Sequence, residues 1–179
     1  MAQSNHERVG KALELLNEGV RPFIEREMQA VYGPHWKQEA ARSLREQHLS
    51  EDGGELHLDT QALLLILWDQ WHQVFRNVLG HAERSLVSEL REVRNEWAHQ
   101  KAFSSDDAYR ALDSTQRLLA AVSAAAQAAE VGRQKDELMR LRYEEQRRSE
   151  TRRVAVAPIE GRPSVGLRPW REIITPQPD

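Results

Sequence analysis

The sequence predicts an all-α fold: an antiparallel helical bundle with a long C-terminal helix and an extended Pro-rich tail. Three observations lead there. Apolar residues recur at helical spacing over most of the chain. Capping residues and Gly or Pro stops punctuate that pattern. No segment alternates long enough for a strand, since Val154-Ala155-Val156 is the one candidate and is too short.

The elements follow in order. Ser4 with Glu7 forms a capping box, and Val9, Leu13, Leu16 and Val20 continue at helical spacing. Gly19 and Pro22 interrupt the pattern, so either the helix kinks or a second one starts near Pro22 and carries Phe23, Ile24, Met28 and Val31. Tyr32-Gly33-Pro34 stops it, and a short amphipathic piece is expected from Trp36 to Leu44 before the loop Ser50-Glu51-Asp52-Gly53-Gly54. Asp59 caps the most hydrophobic stretch, expected as a central helix ending near Gly80, with Leu64, Leu67, Trp68, Trp71, Val74, Phe75 and Val78 on more than one face. In that setting Trp68 and Trp71 read as core rather than as platforms for bases.

A turn at Gly80-His81 leads to a helix from about Ala82 to Ala98. Ser104 or Ser105 then caps a long helix from Asp106, striped by Leu112, Leu119, Val122, Ala126 and Ala129. Between Glu130 and Arg153 lie eight basic and six acidic residues, the balance of a solvated helical extension. Residues 1–131 are thus expected to form the bundle, 132–153 the charged extension and 154–179 a Pro-rich linker. That linker carries Val165, Leu167, Trp170, Ile173 and Ile174, and is expected to lead toward a further domain.

With 25 basic and 28 acidic residues the formal net charge is −3, so no global field draws in nucleic acid and any RNA contact must be local. The absence of cysteine excludes disulfides and thiolate zinc sites and fits a reducing cytosol. The N-terminus has no apolar segment, and the longest apolar run, Ala62 to Trp68, is far below the ~20 residues that span a bilayer. A cytoplasmic protein without membrane partners is expected. His6, His35, His48, His57 and His72 lack metal-ligand spacing, and there is no P-loop and no nucleophile elbow, so neither metal nor cofactor is expected.

One pattern stands out. Arg76-Asn77-Val78-Leu79-Gly80-His81 and Arg94-Asn95-Glu96-Trp97-Ala98-His99 both read Arg-Asn, three free positions, His. Chance predicts roughly 0.02 matches at this composition. A fixed cation, a neutral hydrogen-bonder and a group titrating near neutrality are what handling a phosphodiester without metal requires. The second match sits on a helix whose buried face is Leu86, Leu90, Val93 and Trp97. At about 100° per residue, Asn95 and His99 point away from that face. Arg94 has no acid three or four places away, so an intrahelical ion pair does not account for it, although an acid from another helix would. His99 either pairs with Glu96, ends the helix as a favoured cation, or serves chemistry. The first match reads as a helix end followed by its Gly stop, with Arg76 and His81 as neighbours of a substrate groove.

The motif at Arg94 resembles the Arg-polar-x-x-x-His motif of the HEPN superfamily. Trp68-Asp69-Gln70-Trp71, Val74-Phe75-Arg76, Glu83-Arg84-Ser85-Leu86, Glu89-Leu90-Arg91-Glu92-Val93-Arg94-Asn95 and Ala108-Tyr109-Arg110-Ala111-Leu112-Asp113 are similar to the HEPN domain of the Swt type. The resemblance spans roughly Asn5 to Arg148, and the tail from Leu167 to Pro176 is similar to the segment leading into a P-loop ATPase. It implies a metal-independent endoribonuclease acting as a homodimer on RNA, fused to or associated with a phage-defence ATPase. Catalysis would fall to Arg94, Asn95 and His99: His99 as base or acid at the 2′-OH and leaving oxygen, Arg94 on the scissile phosphate, Asn95 as orienting group. It equally admits a non-catalytic module for dimerisation or partner binding.

Overall fold

A computed structural model describes residues 3–44 and 58–156, with side chains to residue 152. Six helices carry it, and among the described residues there is no strand. Helix α1 (Asn5–Tyr32) opens on the expected capping box: Ser4 Oγ accepts the Glu7 amide at 3.2 Å while the Ser4 amide donates to Glu7 Oε2 at 2.7 Å. The helix runs through Pro22 unbroken. Pro22 and Glu18, whose carbonyl the proline leaves without an i+4 donor, both lie on the exposed face, so water can serve that carbonyl. Val9, Leu13, Leu16, Val20, Phe23, Ile24 and Met28 are buried, whereas Val31 is exposed. Gly33, at φ +56°, ends the helix where a side chain would be strained. A 3₁₀ turn (Gly33–His35) then leads into α2 (Trp36–Ser43).

Helix α3 (Thr60–Asp69) is buried on several faces through Ala62, Leu63, Leu64, Ile66 and Leu67. It is shorter than the sequence predicts. The chain leaves the helix at Gln70 and reaches Gly80 through turns and a 3₁₀ segment (Phe75–Asn77), with the Arg76 amide bonded to the Trp71 carbonyl. Trp71, Val74, Phe75 and Leu79 remain buried, so the apolar spacing reports burial and not a continuous helix, and Val78 is exposed. Gln70 anchors the departure: its Oε1 accepts the Tyr32 hydroxyl at 2.8 Å and its Nε2 donates to Ser43 Oγ at 3.0 Å.

Helix α4 (His81–Ala98) packs on α3 and α5, and α5 (Ser105–Ala121) on α1 and α4. Ser104 is the N-cap of α5, in a capping box with Asp107. The single long helix expected from Asp106 is two helices, α5 and α6 (Ala125–Val156). Ser123 sits at φ +64°, its amide bonded to the Ala120 carbonyl and that of Ala124 to Leu119. This is a Schellman cap with serine where glycine is usual. The break rephases the stripe: Ala128, Val131 and Leu138 are buried, while Ala126 and Ala129 are exposed. The contacts divide the chain into two units, residues 1–142 and 143–179. The Ser50–Gly54 loop and the Pro-rich part of the tail lie outside the described residues.

Arg8 is buried, an outcome the sequence does not foretell. Its Nη2 meets Glu137 of α6 at 3.1 Å, but Nε and Nη1 have no hydrogen-bond partner among the described residues. At Gly19 α1 packs closely on its neighbours. A methyl there would come within 2.4 Å of Leu119 Cδ2 and 2.8 Å of the Ala124 Cβ. Alanine's gain in helix propensity, about 1 kcal/mol, is outweighed by overpacking of roughly 1–3 kcal/mol. Gly19→Ala is therefore expected to lower the urea midpoint; a higher midpoint would show that the helices can separate freely.

The capping carboxyls carry a pH signature. Backbone and side-chain hydrogen bonds from Ser4 hold Glu7 below the usual carboxylate range, and the Ser104 hydroxyl and amide do the same for Asp107. A carboxyl depressed in the folded state stabilises above its unfolded pKa and loses that contribution as pH falls through the folded value. Glu7→Gln with Asp107→Asn should thus flatten the fall in stability below about pH 4. The test is urea unfolding across pH, and an acid limb as steep as wild type would contradict it.

Candidate functional site

Helix α4 buries Leu86, Val87 and Leu90, with Val93 and Trp97 packed half-buried against the core. Asn95 and His99 are exposed on the other side, as the periodicity predicts. The last turn is seated on α1 by Trp97. Its indole N–H donates to the His6 carbonyl at 3.2 Å, and His6 Nε2 returns a bond to the Trp97 carbonyl at 3.1 Å. The two rings stack at 5.6 Å, and Phe103 closes the far side of His6.

The helix then stops sharply. Gln100 adopts φ +56°; its amide bonds to the Trp97 carbonyl and that of Lys101 to Glu96, a second Schellman cap without glycine. His99 is therefore the C-cap, at the rim and free of the core. Glu96, one candidate partner for His99, instead pairs with Lys101, whose ammonium it holds above the usual lysine range.

Arg94 finds the inter-element acid that its own helix lacks. Its Nη2 lies 3.6 Å from Asp59 Oδ2, while Asp59 Oδ1 accepts the Ala62 amide at 2.8 Å as N-cap of α3. One carboxylate thus starts α3 and holds the arginine. Arg94 and Asn95 together line a recess with Gln61, Leu64, Leu65 and Arg91 of about 40 Å³. That is little more than the volume of one water and well below a ligand pocket of 300 Å³ or more. Within one copy this recess cannot enclose a nucleotide.

The first Arg-Asn…His pattern behaves differently. Arg76, Asn77 and His81 line a separate pocket, together with Trp71, His72, Leu79, Gly80 and Arg84. Trp71 is buried as expected, but half-buried Trp68 has two cations near its ring, Arg84 at 5.0 Å and Arg91 at 5.1 Å from the ring centre. The sequence reading missed this row. Its signal is the spacing of Arg84, Arg91 and Asn95, seven and eleven residues along one side of α4.

The family profile of the Swt1-like HEPN domain matches residues 11–123, from the first turns of α1 to the Schellman cap after α5. The chain belongs to the Swt1-like HEPN family. Comparison with curated proteins and with solved structures finds no match. Among the described residues no three His, Asp or Glu side chains gather as ligands for a metal, and no helix is long and apolar enough to cross a membrane.

The double duty of Asp59 is separable. Asparagine caps about as well as aspartate, whereas alanine costs about 1 kcal/mol. A partly exposed ion pair adds about 1 kcal/mol or less, and less again at 3.6 Å. Asp59→Asn should hence unfold within about 0.5 kcal/mol of wild type and Asp59→Ala about 1 kcal/mol below it. Equal losses in both would show the charge to matter more than the cap.

Proposed function

We propose that this HEPN domain is a metal-independent endoribonuclease that acts as a homodimer. The observation that carries the reading is the end of α4. Asn95 and His99 are exposed and serve no core contact, and Arg94 shares a surface recess with Asn95, one turn before His99. The recess holding Arg94 and Asn95 is too small for a nucleotide, which favours a cleft completed by a second copy.

In this reading His99 removes the proton of a ribose 2′-OH. The 2′-oxygen attacks the adjacent phosphorus, the bond to the 5′-oxygen breaks, and that oxygen takes a proton from the partner copy's imidazole or from water. The products are a 2′,3′-cyclic phosphate and a 5′-hydroxyl. Arg94 exchanges Asp59 for the phosphate, whose growing charge it binds more strongly than a solvated carboxylate 3.6 Å away. Asn95 orients the imidazole or a phosphate oxygen. As part of a larger defence protein, the domain would serve as effector for a P-loop ATPase.

The Asp59–Arg94 pair favours a second reading, in which Arg94 is structural and the domain is a non-catalytic dimerisation or partner-binding module. End-labelled single-stranded RNA in EDTA separates the two. The nuclease reading expects cleavage to fragments ending in cyclic phosphate, lowered at least about 100-fold by Arg94→Ala or His99→Ala, the usual weight of acid–base or oxyanion groups. Intact RNA with wild type, or equal cleavage by the variants, favours the module.

A further inference from the structure

The pocket at the start of α4 is lined by basic groups and by no acidic side chain. His72, Arg76, His81 and Arg84 line a cavity of about 290 Å³, and no acidic residue lines it with them. None of the four forms an ion pair among the described residues. The nearest carboxylate along the chain, Glu83, is engaged by the Gly80 amide at 2.8 Å.

Arg84 is held in place for a ligand. Its guanidinium lies 5.0 Å from the Trp68 ring centre and 5.9 Å from that of Trp71, and its Nε is buried with no hydrogen-bond partner. Two indoles fix the plane of the guanidinium and leave donors unspent. His72, Arg76 and His81 are exposed and contribute nothing to the core, so packing does not explain why they converge. The two guanidiniums, Arg76 and Arg84, repel one another across the cavity, and an anion between them relieves that repulsion. The cavity suits a tetrahedral oxyanion and leaves space for part of what it is attached to.

We propose that His72, Arg76, His81 and Arg84 form a phosphate-binding pocket whose ligand is a phosphate of the RNA strand. From Arg84 the row continues along α4 through Arg91 to Asn95, with Arg94 beside it, ten residues or ~15 Å from Arg84. A strand held at the pocket can reach the end of α4 along Trp68. That second step rests on the ribonuclease reading; the phosphate pocket itself does not. The same chemistry admits a free phosphate, and the two sources are separable.

The test uses the full chain carrying His99→Ala, which blocks the proposed cleavage, with and without Arg76→Ala/His81→Ala. Anisotropy of a labelled single-stranded RNA is read across salt, and inorganic phosphate is titrated against the imidazole proton resonances of His72, which both proteins retain. Loss of one charge-assisted phosphate contact should weaken RNA binding about tenfold and reduce the log–log salt slope by about 0.7. Unchanged RNA binding, with phosphate shifting the imidazole resonances only when Arg76 is present, would support the pocket and assign it to free phosphate. Unchanged RNA binding and no phosphate-dependent shift overturn it. RNA binding that depends on the pocket, in a protein whose wild type cleaves no RNA, keeps the pocket and removes the ribonuclease reading.

Discussion

The indole of Trp97 rests directly on the backbone of α1 at Gly10. A methyl at that position would lie 2.8 Å from Nε1 and 3.1 Å from Cε2 of the ring, so only glycine admits the contact. The reciprocal bonds between His6 and Trp97 then fix the rotation of the last turn of α4 about its own axis. Everything that follows along that turn inherits the constraint. With Trp97 inward, Asn95 and His99 are outward, and Arg94 lies at the boundary where Asp59 meets it. Asn95 and His99 are thus positioned by Trp97, two residues from each, and Arg94 by Asp59.

The same economy appears at Asp59 and at Trp68. Asp59 caps α3 and holds Arg94, so the start of one helix is coupled to the end of another. Trp68 carries Arg84 and Arg91 on its ring and spaces the cations along α4. A positive φ at Gln100, costly for a non-glycine residue by roughly 1 kcal/mol, is maintained beside His99.

Much of this was legible in the sequence. The capping box at Ser4, a serine cap at the start of α5, the buried face of α4 and the outward Asn95 and His99 follow from spacing and side-chain chemistry alone. The failures have two causes. Apolar spacing reports which residues are buried but not whether the backbone between them is helical. Trp71, Val74, Phe75 and Leu79 are buried from a series of turns, and the stripe after Asp106 is broken at Ser123, where no glycine advertises the positive φ. The partners of Arg94 and Trp68 come from other helices, and no local window contains them. The two Arg-Asn…His patterns, alike in spelling, line different pockets because one lies in turns and the other ends a helix.

Amide hydrogen exchange in a Gly10→Ala variant tests the central claim, that the seating of Trp97 on α1 sets the end of α4. The amides of His99, Gln100 and Lys101 donate to the carbonyls of Asn95, Trp97 and Glu96. If Trp97 is the anchor, these three exchange faster in the variant while the amides of α5 keep their protection. Unchanged exchange at all three, with Gly10→Ala folded, would contradict the account.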